Sequence, residues 1–223
     1  DEATREKVRA LTQELVEIGQ AFGKNIRSSV RTIELDSVKE LEGLPQDYID
    51  AHQPGPNGKI VLTTNYPDYI PFMTYAKNDA LRLKFYKEFR KRGHPENGAI
   101  LDRLLAKRYE LATLLGYKNW ADYITEDKMI KSEVAAAGFI EKISTLSKQR
   151  SLSDYEQLLR GLQKEMPEAT FVGDWQKAYV ENLVKQEEYQ LDTQSIREYF
   201  TYDKVRKGIF DITGKMFGVR YLL

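Results

Sequence analysis

From Ser132 to Met166 the sequence carries no proline and sets apolar residues at helical spacing: Val134, Ile140, Ile143, Leu146, Leu152, Tyr155, Leu159 and Leu162. Ser132 suits an N-cap, and Pro167 closes the run. More than 30 residues is long for a globular helix. Two readings remain open: one continuous helix, or two helices with a break near Arg150-Ser151. An isolated coiled coil is disfavoured, because strict heptads with charged flanks are not sustained.

The rest of the chain follows the same helical logic. Val8, Leu11, Leu15, Ile18, Phe22 and Ile26 place one apolar stripe on a first helix. Asn78 predicts a helix over Asp79 to Arg92, ended by Gly93. Ala99 to Leu115 predicts another, with Gly116 after it, and Asn119 caps a short helix begun by Trp120. Asp174 is the expected cap of Trp175 to Tyr189. Ser195 to Phe200 reads as one turn or more, and Thr201 caps Tyr202 to Phe217 with Gly218 following. Val219 to Leu223 is apolar and strand-like.

One region breaks the pattern. Val30 to Leu35 alternates apolar and polar residues, and Lys59 to Thr63 is β-rich after the turn Pro54-Gly55-Pro56-Asn57-Gly58. Between them, short helices fit Val38 to Glu42 and Pro45 to Ile49. Tyr66-Pro67 and Ile70-Pro71 disfavour helix before each proline. The expectation is a mainly α fold: a multi-helix domain with a small antiparallel β element of two or three strands near residues 30–65. It reads as one unit over 1–223, with residues 1–77 holding the first helix and β element and residues 78–223 the helical body.

Charge and cysteine content narrow the function classes. The 34 basic and 34 acidic residues cancel, so nothing drives the chain toward nucleic acid or an anionic membrane. No apolar run approaches the roughly 20 residues of a membrane span. The absence of cysteine excludes disulfides and thiolate metal sites. A cytoplasmic location is the expectation.

Candidate chemistry is sparse. His52 and His94 stand far apart and beside turn residues, so both read as ordinary surface or turn histidines rather than metal ligands. Glu126-Asp127 and Glu187-Glu188 are adjacent carboxylates, which point apart on a helix and suit solvent better than acid–base work. Lys84, Lys87, Arg90, Lys91 and Arg92 form a basic cluster that reads first as the solvated end of one helix. Tyr66, Tyr69, Phe72 and Tyr75 fit either a channel lining or a core. No catalytic, cofactor-binding or metal-binding residue is assigned.

A series of ordered motifs carries a family resemblance. Leu41-Glu42-Gly43-Leu44-Pro45 is followed by Leu81-Arg82, Tyr86, Arg92-Gly93 and Glu96-Asn97. Leu114-Leu115-Gly116-Tyr117-Lys118-Asn119-Trp120-Ala121-Asp122 and Lys128-Met129 come next, then Asp174-Trp175 and Tyr179. Leu191-Asp192, Tyr199-Phe200, Val205, Gly208-Ile209-Phe210 and Phe217-Gly218-Val219 close the series. Together they resemble the thimet oligopeptidase family of zinc metallopeptidases, which includes oligopeptidase A and peptidyl-dipeptidase-like enzymes. Gln176 and Thr201 depart from the pattern, standing where Asp and Pro are usual.

The resemblance implies a mostly helical internal piece of a longer peptidase, upstream of the His-Glu-x-x-His helix that holds zinc. In the parent, short peptides would be substrates, and the remaining catalytic portion of the same chain would be this segment's partner. The segment would wall a channel and select substrates by size, bind no zinc itself and be inactive alone. The alternative is a standalone helical protein-interaction module without enzymatic activity.

Overall fold

The computed structural model describes residues 1–221 apart from the side chain of Thr193; the strand-like end expected at Val219 to Leu223 is not a strand over Val219 to Tyr221, and Leu222-Leu223 lie outside the described residues. Helix α1 (Glu2–Ser28) leads into strand β1 (Thr32–Leu35), a 3₁₀ turn (Val38–Leu41), α2 (Gln46–Ala51) and strand β2 (Ile60–Thr63). Then come α3 (Tyr66–Tyr75), α4 (Asp79–Arg90), α5 (Glu96–Leu114), α6 (Trp120–Thr125) and α7 (Glu133–Gln163). The series ends with α8 (Lys177–Tyr189), α9 (Thr193–Ile196), a 3₁₀ turn (Arg197–Tyr199) and α10 (Tyr202–Phe217). The mainly helical expectation holds, and the β element is one antiparallel pair with Ile33 opposite Leu62 and Leu35 opposite Ile60. No third strand is present among the described residues.

The main core forms where this hairpin meets α2, α3 and α4. Ile33, Leu35, Ile60 and Leu62 all face inward, as the two-residue period of a half-buried strand requires. They pack with Leu41, Phe72 and Phe85. A second, smaller cluster joins the end of α7 to α8 through Leu162, Tyr179, Val180 and Val184. Helix α1 lies along α5, burying Leu11 and Ile18 of its predicted stripe.

Three helical expectations need correction. Tyr66 to Tyr75 is helical despite two prolines. Pro67 sits in the first turn, where its missing N–H has no intrahelical partner to lose, and buried Phe72 and Met73 hold the helix across Pro71. α5 starts at Glu96, three residues before Ala99, with Pro95 at its N-cap. α8 starts at Lys177, because the Asp174 carboxylate binds Tyr86 and Arg90 instead of capping a helix. α7 is one continuous helix, the first of its two readings: Arg150 and Asp154 form an ion pair of 2.8 Å one helical turn apart, across the position of the alternative break.

The eight apolar positions of α7 also do not share one face. At about 100° per residue, Val134 and Leu152 fall opposite Ile143. Its start contacts α6, and its buried residues, Gly161 and Leu162, lie near its other end. There Gly161 lets α8 approach so closely that a Cβ would lie 2.9 Å from Val184 Cγ2 and 3.4 Å from Val180 Cγ1. Gly161→Leu is therefore expected to destabilise the chain by about 1–3 kcal/mol through overpacking, although leucine is the better helix former. A urea midpoint at or above that of the parent chain would mean that α7 and α8 can separate freely.

Candidate functional site

Two polar arrangements stand out. The first joins α4 to α8. The Asp79 carboxylate accepts from Arg82 Nη2 at 2.8 Å, Gln176 Nε2 at 2.9 Å and Trp175 Nε1 at 3.2 Å. Arg82 is 1% exposed, donates to the Ala76 carbonyl, and lies 3.9 Å from the centre of the Tyr179 ring. Burial pulls its guanidinium below the ordinary arginine range while Asp79 pushes it back, and arginine keeps its proton throughout. The Tyr179 hydroxyl donates to Glu165 at 3.0 Å, and burial pushes that phenol up to about 12. At the rim, the Tyr86 hydroxyl at 2.6 Å and Arg90 at 2.9 Å both donate to Asp174, holding its carboxyl below the usual range.

The second is a cleft of about 650 Å³ between α2, α3 and α9, lined by Pro45, Tyr48, His52, Asp68, Pro71 and Tyr75. Arg197 closes one side through a two-pronged bond to Asp47, at 2.7 and 3.2 Å. His52 is more enclosed than its sequence suggests. Its Nδ1 lies 2.8 Å from the Tyr48 carbonyl, its Nε2 lies 3.2 Å from Asp68 Oδ1, and its ring stacks on Tyr48 with centroids 4.1 Å apart. The other Asp68 oxygen accepts from the Thr63 amide at 2.9 Å, and the Tyr48 hydroxyl donates to the Asp68 carbonyl at 2.8 Å. This network ties α2 and β2 to the start of α3. Burial raises the Tyr48 phenol above its ordinary value, so it stays a neutral donor.

Neither arrangement suits a zinc ion. Among the described residues no three of His, Asp or Glu gather closely enough to hold a metal, and both His52 nitrogens already face oxygens of the fold. His94 sits in the loop before α5, its amide bonded to the Lys91 carbonyl at 3.0 Å.

The other sequence candidates separate cleanly. Asp127 pairs with Lys128 at 2.7 Å, Glu126 accepts from Tyr117, Glu187 pairs with Lys164, and Glu188 accepts from Gln157. The basic cluster is divided among partners. Arg90 goes to Asp174, Lys91 to Glu88 at 2.6 Å, and Arg92 to the carbonyls of Ile26 and Thr64. Lys84 reaches the Glu34 carbonyl at 3.5 Å. Of the four aromatics, Tyr69 and Phe72 are core, Tyr66 is exposed, and Tyr75 faces the cleft.

The residues that carry the motifs are structural staples here. Besides Arg82, Tyr86, Trp175 and Tyr179, the Asn97 side chain donates to the Phe22 carbonyl at 3.1 Å and accepts from Asn25 at 3.0 Å. Gly43, at φ +95°, brings the backbone so close to the Tyr75 carbonyl that a Cβ would sit 2.2 Å from its oxygen. Gln176 departs from the motif with a reason. Its amide donates to Asp79, where an aspartate would set two carboxylates against each other. Asp79 carries no signal of this role in the sequence, where it looks only like the first residue of a capped helix.

Comparison with known proteins returns one consistent result. The family described as Peptidase family M3 matches residues 72–222. Organellar oligopeptidase A, chloroplastic/mitochondrial, of Arabidopsis thaliana is 29% identical over 236 residues, covering 98% of this chain and 30% of the relative. Probable cytosolic oligopeptidase A of the same plant is 28% identical, covering 96% of this chain and 33% of the relative. Oligopeptidase A of Escherichia coli (strain K12) is 26% identical, covering 92% of this chain and 32% of the relative. The chain thus spans about a third of the length of the curated relatives it matches.

Proposed function

This chain belongs to peptidase family M3, and we propose that it is the non-catalytic part of a zinc-dependent oligopeptidase that hydrolyses short peptides. The observation that carries this reading is the alignment over almost the whole chain to proteins named as oligopeptidases. The sequence contains no His-Glu-x-x-His, and on this reading the zinc and its general base belong to the remaining portion of the parent chain. The role of this segment is then wall and frame. α7, 31 residues long, supplies a rigid side to a channel, and the α4–α8 hub fixes the helices beside it. A channel of this kind admits extended peptides and refuses folded ones.

The coding frame beyond Leu223 tests the reading directly. A His-Glu-x-x-His motif downstream supports it, and an immediate stop codon overturns it. The purified 223-residue chain is expected to show no chelator-sensitive hydrolysis of short fluorogenic peptides. The full-length product is expected to cleave a peptide when it is free and to spare it within a folded protein. Equal cleavage of both would overturn size selection. A cytoplasmic location belongs to the same proposal, supported by the relative named as cytosolic, and cell fractionation checks it. No described helix is long and apolar enough to cross a membrane.

A further inference from the structure

The middle of α7 carries an apolar stripe that nothing described covers. Phe139, Ile140, Ile143 and Leu146 recur at steps of three and four and share one side of the helix. All are exposed, Ile140 by 67% and Leu146 by 71%. α8 covers only the end of α7, around Gly161 and Leu162. α10 repeats the situation. Val205, Ile209, Ile212 and Met216 form its stripe, all four are exposed, and none of its described residues is buried. A protein that functions alone in water seldom displays continuous apolar rows of this kind.

We propose that these two stripes are docking faces for one occupant, the catalytic portion of the parent peptidase chain. The proposal rests on the function proposed above and adds where the two portions meet. Three observations select this occupant. The relatives extend over about three times the length of this chain, so the missing partner is large enough to cover both helices. Both stripes lie inside the family match at 72–222, whereas the stripe of α1 is already served by α5. The stripe side chains are themselves aliphatic or aromatic and exposed, which makes apolar contact the docking chemistry.

The chain contains no cysteine, so single thiols can report shielding. Ile143→Cys and Ile212→Cys probe the stripes, and Thr145→Cys, on the opposite side of α7, is the control. In the 223-residue chain all three are expected to react with a maleimide at similar rates. In the full-length product, cleared of its other cysteines, the two stripe thiols should slow by roughly tenfold or more while Thr145→Cys keeps its rate. Stripe thiols that react as fast as the control in the full-length product overturn the proposal. So do stripe thiols already slow in a 223-residue chain that sediments as a dimer, which assigns the faces to a second copy. Peptidase activity of the same full-length product is a separate readout. An active enzyme with unshielded thiols overturns the docking faces alone; shielded thiols in an inactive product overturn the peptidase reading alone. A frame that stops after Leu223 removes the occupant and overturns both.

Discussion

Asp79→Ala is expected to lower the stability of the chain by about 3–5 kcal/mol, since it leaves the Arg82 cation buried without its counter-ion. The loss is large because one carboxylate serves three donors, Arg82, Trp175 and Gln176, and so joins α4 to the start of α8. Arg82 cannot escape by losing its proton, and at 1% exposure it cannot reach water without moving its helix. For a chain of this length such a loss corresponds to a fall in Tm of roughly 6–20 °C. Thermal or urea unfolding would measure it. Arg82→Leu combined with Asp79→Ala is expected to cost less than the sum of the two single changes, because the double variant leaves no stranded charge. A cost for Asp79→Ala below about 1 kcal/mol would mean that water or another acceptor replaces the carboxylate.

Phe85→Ala is expected to cost a similar amount, about 3–5 kcal/mol, for an unrelated reason. Phe85 is fully buried, and it meets Tyr69 edge-on at 5.1 Å and Phe72 edge-on at 5.4 Å. Removing the ring leaves a void among the strands, α3 and α4, and it also loses the edge-to-face contacts. Phe85→Leu fills most of the void and should cost less than half as much. In urea the midpoint should fall for both variants while the slope stays constant, which shows that native and unfolded states keep their compactness. A changed slope would place the effect in the unfolded ensemble instead.

These two predictions also show which parts of the molecule sequence could disclose. Phe85 is legible as a core residue, since it falls on a helix bounded by Asn78 and Gly93 and recurs with helical period. Asp79 is not legible. An acidic residue just after an N-cap is ordinary helix chemistry, and only the return of the chain 97 residues later brings Gln176 against it. His52 reads as a turn residue, yet folding of α2 against α3 places Asp68 within 3.2 Å. The two prolines of α3 point away from helix locally, and burial of Tyr69, Phe72 and Met73 overrides them.

The mainly helical class, the small antiparallel pair and the family are legible along the chain, because these rest on short-range periodicity, capping chemistry and the order of motifs. The absence of cysteine likewise excludes thiolate ligands and disulfides within these residues. Tertiary structure alone decided what the motif residues do. Arg92, Asn97 and Trp175 are spent on long-range polar bonds, and Arg82 meets the Tyr179 ring, contacts that no local pattern encodes. It alone decided, too, that the stripe of α1 is covered while those of α7 and α10 are bare. A helical period states that a face is apolar; only the packing of distant segments states what, if anything, lies against it.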